Sequence, residues 1–235
     1  MARKRANTTK YEIIRQGTKL FLEKGYSATT PRLISDTLDI STGNLTYYFP
    51  TKEHLLAVLV EMLCSFQANT IQEMVQEEGK TSLLAVCLEL AAMAAISEEN
   101  EIAKDFFLAS YSSPMCLEII RKNDCQRSKI IYGELCSHWT DEQFAEAELL
   151  VSGIEYATLM TTGDSVPLAV RIEGALNNIM MIFGVPEEIR RQKIGKVLSM
   201  DYRALGAHLL EQFKIFVDET NEHAFEGLLS QPETL

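Results

Sequence analysis

Apolar side chains recur every three or four positions along nearly the whole chain, which is the period of an amphipathic α-helix. No segment shows the alternation of apolar and polar residues that a half-buried strand requires. The first predicted helix spans about residues 9–24, has Ile13, Leu20 and Phe21 on one stripe, and ends at Gly25. The pattern therefore predicts an all-α protein.

The next segment, TTPRLISDTLDISTGNLTYYFPTKEHLL, predicts two short helices joined by a tight turn. Thr30 is a good N-cap, and Pro31 suits the first helical position. Asp39 stands at the turn, where an aspartate tolerates a left-handed backbone. Ser41 then caps the second helix, and Pro50 ends it. This arrangement predicts a helix-turn-helix unit.

The second short helix has an inward and an outward face. Leu45 and Phe49 are spaced to face inward, which leaves a small polar surface with one aromatic residue, formed by Gly43, Asn44, Thr46 and Tyr47. Thr51 is predicted to cap a long fourth helix that opens with Lys52.

Beyond Gly79 the pattern predicts further helices with short breaks, at about 82–97, 99–111, 114–138, 141–162, 166–183, 186–200 and 201–222. Asp141 and Asp201 are predicted N-caps, and Gly184 is a predicted helix stop. We expect a head of residues 1–54 and a helical body of residues 55–235.

The charge is divided unevenly between these two parts. The chain as a whole carries −11, but residues 1–54 hold nine Lys or Arg and five Asp or Glu, a net charge of +4. The remainder carries −15. A basic head on an acidic body would direct the head toward a phosphate backbone.

Other features indicate a cytoplasmic protein without a membrane span or metal site. The basic amino terminus is not followed by the apolar run of a secretory signal, and the longest apolar stretch, 83–96, is shorter than the ~20 residues that span a bilayer. The five cysteines form neither a CxxC pair nor a cluster with histidines, so we expect no metal, cofactor or disulfide framework.

The head resembles that of the TetR family of bacterial regulators over about the first sixty residues. The resemblance rests on LFLEKGYSATT at the end of the first helix and YYFPTKEHL after the second short helix. It implies that residues 42–48 form a recognition helix that enters the DNA major groove.

The resemblance also implies individual DNA contacts. Base edges or the groove wall would be met by Thr42, Gly43, Asn44, Thr46 and Tyr47. Tyr48 and Lys52 would contact phosphates, and Arg32 stands where some family members read a guanine. Two positions depart from the family pattern. Thr46 replaces the usual aromatic residue, and Pro31 replaces a phosphate-binding threonine whose contact Thr30 would take over.

Family members bind a small molecule among their middle helices, so the resemblance implies an effector pocket in the body. Candidate lining residues are large, soft side chains at helical spacing and one charged residue: Met62, Phe66, Glu89, Met93, Phe107, Tyr111 and Tyr132. Glu89 interrupts the apolar segment LLAVCLELAAMAAI, where a charge must be paired, protonated or available to a ligand. A cationic or hydrogen-bonding ligand is one hypothesis, and the alternative is an ion pair with a Lys or Arg of a neighbouring helix or a side chain that points outward.

The resemblance further implies a homodimer that binds an inverted-repeat operator on double-stranded DNA. The helices near 141–162 and 166–183 are the predicted dimer helices, with a surface supplied by Ala147, Leu150, Val151, Ile154, Leu159, Met160, Leu176, Ile179, Met180 and Phe183. An intramolecular core is the alternative for the same residues.

The sequence therefore favours a ligand-responsive transcriptional regulator, most simply a repressor that a small-molecule effector releases from DNA. A ligand-independent DNA-binding or adaptor protein with the same fold is the first alternative. An enzyme is the second, although the chain contains no GxSxG, HExxH, P-loop or dinucleotide-binding pattern.

Overall fold

Helices form the regular secondary structure of the residues that the computed structural model describes, 2–76 and 82–220. There are eleven in this part of the chain: α1 (Ala2–Lys24), α2 (Pro31–Leu38), α3 (Thr42–Tyr48), α4 (Lys52–Gln76), α5 (Ser82–Glu99), α6 (Glu101–Ser112), α7 (Pro114–Tyr132), α8 (Asp141–Leu159), α9 (Leu168–Ile182), α10 (Glu187–Leu198) and α11 (Tyr202–Glu219). The predicted all-α fold is confirmed. The break predicted at Gly79 lies outside the described residues.

The turn between α2 and α3 is built from local hydrogen bonds. The Thr30 hydroxyl accepts from the Leu33 amide at 3.1 Å, and the Ser41 hydroxyl accepts from the Asn44 amide at 3.1 Å. Between the two helices, Asp39 adopts the left-handed conformation with φ 54°. These interactions confirm the two predicted caps and the predicted turn residue.

Helix α5 is the centre of the body, because α4, α6, α8, α9, α10 and α11 all pack against it. Its side chains are buried on nearly every face, and Ala85, Leu88, Ala91 and Ala95 have no exposed surface. A helix that is apolar all round is stable only inside such a bundle. Helix α11 packs tightly against it at Gly206, where an added Cβ would lie 2.8 Å from the Ala92 carbonyl oxygen.

Two predicted details of the body were wrong. The N-cap of α8 is Thr140, which forms a reciprocal capping box with Gln143, while the Asp141 carboxylate lies 2.8 Å from Lys129 Nζ. The capping box satisfies two backbone amides at once, whereas Asp141 would satisfy one. Helix α7 ends at Tyr132 and not near residue 138, and a turn follows from Gly133. Asp201 caps α11 and Gly184 follows α9 with φ 68°, both as predicted.

The predicted dimer surface is largely the protein's own core, which corrects that expectation. The side chains that are buried within the single chain are Ala147, Val151, Leu159, Leu176, Ile179, Met180 and Phe183. Only Leu150 and Met160 of the predicted set are exposed, by 58% and 42%, and Ile154 is half-buried. The outward face of α8 and α9 is apolar at other positions, since Leu149, Val170 and Met181 are each about half exposed.

Within the described ranges, no helix has both the length and the apolar character needed to cross a membrane.

Replacing Gly206 with alanine should lower the free energy of unfolding by about 1–3 kcal/mol, because the methyl group would push α11 away from the backbone of α5. Gly195→Ala is the matched control, since its Cβ would meet nothing within 4 Å and alanine favours a helix by about 1 kcal/mol. Urea denaturation of both variants measures the two effects. A Gly206→Ala protein as stable as the parent would contradict the close packing of α11 on α5.

Candidate nucleic-acid interface and internal cavities

The outward face of α3 is a continuous exposed surface. Leu45 is buried with 2% of its surface exposed, and Phe49 follows it into the core of the head. All the residues predicted to meet base edges or the groove wall are exposed: Thr42, Gly43, Asn44, Thr46 and Tyr47. Tyr47 extends furthest, with 80% of its surface exposed. The predicted division into inward and outward faces is confirmed, while contact with DNA stays a prediction.

Two predicted contacts lie beside this surface on α2. Arg32 has 86% of its side chain exposed, and its Nε is 3.6 Å from a carboxylate oxygen of Asp36 one turn away. An exposed pair of this kind is worth little, so the guanidinium can exchange it for another partner. Thr30 is also exposed, but its hydroxyl already accepts from the Leu33 amide as the N-cap.

Lys52 is placed differently from a simple phosphate contact. Its Nζ donates to the backbone oxygens of Tyr26 at 3.0 Å and Thr29 at 3.4 Å, and lies 3.9 Å from the centre of the Tyr26 ring. The ammonium group therefore fixes the start of α4 to the loop between α1 and α2. Tyr48 is half-buried and packs edge-on against Tyr47, with 5.0 Å between ring centres.

One carboxylate of the body holds the head. Asp105 of α6 accepts hydrogen bonds from the amide of Ser27 at 2.7 Å and from the Ser27 hydroxyl. Gly25 makes room for this contact, because its φ is 90° and a Cβ there would lie 2.8 Å from Asp105 Oδ2. We call this contact the Asp105 clamp. It links α6 to the same loop that Lys52 holds from α4.

Among the described residues, three partly open cavities lie around α5. The proximal cavity, of about 50 Å³, lies nearest the head and is lined by residues of α1, α4, α5, α6 and α11, among them Leu22, Phe66, Glu89 and Phe213. The middle cavity, of about 70 Å³, lies between α4, α5, α6, α7 and α8. The distal cavity, also of about 70 Å³, lies between α5, α7, α8 and α9.

Most of the predicted effector-binding residues line these cavities. Phe66 lines the proximal cavity, Tyr111 the middle cavity and Tyr132 the distal cavity, while the proximal and middle cavities share Glu89, Met93 and Phe107. Met62 is the exception, because it is fully buried in the core and lines none of the three. Whether a ligand contacts any of them stays a prediction.

Glu89 is ion-paired within the chain, and the hypothesis that it meets a ligand stays a prediction. Its carboxylate accepts a short hydrogen bond from the guanidinium of Arg127, which also donates to Asp124 at 3.0 Å. The exposed fractions of the Glu89 and Arg127 side chains are 13% and 20%. The ion pair with a neighbouring helix, which was the alternative expectation from the sequence, is confirmed, and Arg127 of α7 is the partner.

Three further carboxylates crowd the same region. Burial raises the pKa of Asp124 to about 6 and that of Glu148 to about 7, and it raises the pKa of Glu155 well above the usual range. Charge repulsion adds to the effect of burial: Glu89 acts on Asp124, and Asp124 acts on both Glu148 and Glu155. Glu148 accepts from the Ser128 hydroxyl, and Glu155 accepts from the Tyr111 hydroxyl at 2.9 Å. Burial therefore favours the protonated forms of these three acids.

Sequence reasoning missed the Asp105 clamp and the acids of α8. The signal for Glu148 and Glu155 was their seven-residue spacing on the face that carries Val151 and Leu159. Residues seven apart lie on one side of a helix, so two acids at that spacing among buried apolar residues must enter the interior together. No comparable local signal precedes Asp105, whose partner is 78 positions away.

Residues 13–59 match the family model described as "Bacterial regulatory proteins, tetR family". This confirms the resemblance found in the sequence. A comparison with curated proteins gives no match.

Among solved structures, the chain is similar to the TetR family protein CprB from S. coelicolor A3(2), at 18% identity and a TM-score of 0.42 over 88% of this chain and 99% of that one. It is also similar to a gamma-butyrolactone receptor described as an ArpA-like protein, at 19% identity and a TM-score of 0.39 over 89% and 99%.

The raised pKa of Glu148 predicts how stability depends on pH. Between its ordinary value of 4.5 and about 7, the folded protein holds a proton that the unfolded chain has lost. The free energy of unfolding therefore falls as the pH rises through this window, by at most ~1.4 kcal/mol per pH unit for one proton. In Glu148→Gln this contribution is absent, so the variant should gain stability relative to the parent as the pH rises from 5 to 8.

Urea denaturation at several pH values measures the difference. Glu146→Gln is the control, because Glu146 is exposed on the same helix. Parallel pH profiles for Glu148→Gln and the parent would contradict the raised pKa.

Proposed function

We propose that this chain, whose residues 13–59 form the amino-terminal unit of the TetR family of bacterial regulatory proteins, is a ligand-responsive transcriptional repressor. It binds an inverted-repeat operator as a homodimer and is released by a small-molecule effector. The observation that carries the proposal is the exposed polar face of α3, held by two local caps within the matched residues.

The shape and polarity of α3 support a role in the major groove. The helix is short, its outward residues are small apart from the tyrosines, and Asn44 stands near its amino-terminal end. Such a helix presents its first turn to base edges, and an asparagine can pair with adenine through two hydrogen bonds. The net charge of +4 in residues 1–54 favours the approach of this part of the chain to phosphates.

A dimer is supported by the outward face of α8 and α9. Leu149, Leu150 and Val170 are more than half exposed, and a Cβ added at Gly153 or Gly174 would meet nothing within 4 Å. Glycine within a helix lowers helix stability by about 1 kcal/mol relative to alanine. Contacts within the described part of the single chain do not explain why glycine occupies these two positions. A second copy of the helices packing closely at these glycines would supply an explanation, and would bury the exposed leucines and valine. The two heads would then read half-sites about one or more helical turns apart.

Three contacts connect the cavities to the head. Leu22 of α1 lines the proximal cavity directly. Helix α4 contributes Phe66 to this cavity and begins at Lys52, which binds the loop between α1 and α2. Helix α6 contributes Phe107 and bears the Asp105 clamp. An effector that prefers a different arrangement of these helices would change the position of the heads and weaken DNA binding.

The cavities favour this proposal over a ligand-independent regulator or adaptor. A body that served only protein contacts would gain stability from a fully packed interior, because empty space forfeits van der Waals contacts. The three cavities combine apolar walls with a few polar groups, which is the kind of lining that small-molecule pockets have.

Selection of bound DNA from a random pool should enrich an inverted repeat. On that site, Arg32→Ala and Asn44→Ala should each cost about 1–3 kcal/mol and relax the preference at one position of each half-site. Tyr48→Phe should weaken binding to all sequences alike, because a phosphate contact carries no sequence information. Gel-shift titrations against the selected and a scrambled site measure both effects.

Arg191→Ala is the control, since it removes an exposed guanidinium from α10 in the body. The same sequence-independent loss for Arg32→Ala, Asn44→Ala and Tyr48→Phe would disprove the assignment of the reading residues. Failure to enrich any site would disprove the proposed function.

The Asp105 clamp should couple the body to the head. Asp105→Ala removes both acceptors for Ser27, so the amides of the loop between α1 and α2 should exchange hydrogen faster. DNA affinity should fall about fivefold, which corresponds to ~1 kcal/mol for the lost hydrogen bonds. Hydrogen exchange by mass spectrometry and DNA titration provide the measurements.

Glu101→Ala is the matched control on α6, because Glu101 is exposed and pairs with Lys104 of the same helix at 3.7 Å. Unchanged exchange of the loop amides in Asp105→Ala would show that the clamp does not hold the head.

A further inference from the structure

The distal cavity is lined by two glutamates from one helix. Glu148 and Glu155 of α8 both reach it, and they are two helical turns apart, about 10 Å along the helix axis. Glu148 has only 2% of its surface exposed. The remaining wall is largely apolar, and α9 contributes Leu176, Ile179 and Met180 to it.

Negative charge exceeds positive charge around this cavity. Arg127 lines the cavity but is already bound to Glu89 and Asp124. Arg121 approaches the same face of α8, where its Nε donates to the Ser152 hydroxyl at 2.9 Å. Neither Glu148 nor Glu155 forms an ion pair with any residue in the described part of the chain, so two carboxylates are left without a cation.

A second and independent feature is the hydroxyl of Tyr132. Tyr132 lines the distal cavity with 4% of its surface exposed, and its ring stacks on Phe183 with 4.1 Å between centres. Its hydroxyl has no hydrogen-bond partner among residues 10–70 and 82–220, although a buried hydroxyl normally has one. Burial raises the pKa of Tyr132, so the group remains a neutral hydroxyl that can accept a hydrogen bond.

Without a ligand, protons offset the surplus charge. The pKa of Glu148 is raised to about 7, and that of Glu155 is raised well above its usual range, chiefly by burial and in part by Asp124. Further groups act on the two acids: Ser128 and Arg127 favour the charged form of Glu148, while Tyr111 and Arg127 favour that of Glu155. A bound cation would replace the proton, because an opposite charge nearby stabilises the carboxylate.

We propose that the distal cavity binds a small organic ammonium ion, which donates hydrogen bonds to Glu148, Glu155 and the Tyr132 hydroxyl. The proposal rests on the proposed function, in which the body receives an effector, and it names the chemical class of that effector. The apolar part of the ligand packs against the α9 side of the cavity. Binding is coupled to the release of a proton from the glutamates.

The volume of the distal cavity determines which ammonium ion should be tested first. A volume of about 70 Å³ is roughly five to seven times the ~10–15 Å³ that one water molecule needs on the same measure, so a ligand of about five non-hydrogen atoms fits. The n-butylammonium ion has five. Its neutral counterpart 1-butanol has the same length and a hydrogen-bonding head but no charge. Larger ammonium ions would require Arg127 to move, because its side chain lines both the distal and the middle cavity.

The test compares the binding of n-butylammonium and 1-butanol to the full-length protein by isothermal titration calorimetry. At pH 8 the ammonium ion should bind at least tenfold more tightly than the alcohol. Its affinity should weaken as the pH falls from 8 to 5, by up to tenfold per pH unit for each proton released. Titrations in buffers of different ionisation enthalpy should show that proton release directly.

Glu148→Gln and Glu155→Gln should each reduce the affinity for n-butylammonium at least tenfold and leave that for 1-butanol unchanged. Tyr132→Phe should reduce the affinity for n-butylammonium several-fold. Because this variant keeps the aromatic ring that stacks on Phe183, it tests the site even if a glutamine variant fails to fold. Glu146→Gln, exposed on the same helix, is the matched control. Equal affinities for the two probes, no binding of n-butylammonium to the parent protein, or variants that bind it as the parent does would each overturn the proposal.

A DNA titration with and without n-butylammonium separates this proposal from the proposed function. If the ion binds as described and DNA affinity does not change, the ammonium site stands and its role as an effector site fails. If DNA affinity changes only with compounds that bind equally well to Glu148→Gln and Glu155→Gln, the regulator stands and the ammonium site is overturned.

Discussion

Glu89 brings a carboxylate into the helix that the rest of the body surrounds, and a carboxylate in such a place needs a cation or a proton. Arg127 supplies the cation from α7, and the same guanidinium also binds Asp124. The two side chains of the ion pair stand where the cavities meet, since Glu89 lines the proximal and middle cavities and Arg127 the middle and distal ones. The cavities are therefore arranged around one ion pair, and Arg127 stands between the middle and the distal cavity.

The head is the part of the fold that the sequence predicts in detail, because its determinants are local. Thr30 and Ser41 each bond to an amide three residues further on, and Asp39 needs only its own left-handed backbone. Caps and turns of this kind depend on residues that are close together in the sequence, so the sequence alone can predict them. The same holds for Asp201 and Gly184 at helix ends in the body.

The body is less predictable because its important contacts join distant positions. Arg127 and Glu89 are 38 residues apart, and nothing near either residue identifies the other as its partner. Helix α8 illustrates a second limit. Val151 points inward and Leu150 outward although both are apolar, so periodicity alone cannot decide which side a helix with two apolar faces turns toward the core. For the same reason the acids of α8 were not recognised as part of the interior.

The local caps of α2 and α3 have a consequence for protein engineering. The hydroxyls of Thr30 and Ser41 satisfy backbone amides, and Leu45 and Phe49 anchor α3 in the core of the head. The exposed side chains of α3 therefore contribute little to folding. A combinatorial library randomised at positions 42, 43, 44, 46 and 47 should consist mostly of folded proteins. The exposed side chains of α3 could then be varied widely, as those of an antibody loop are, because the residues that hold the backbone of α3 lie outside the library.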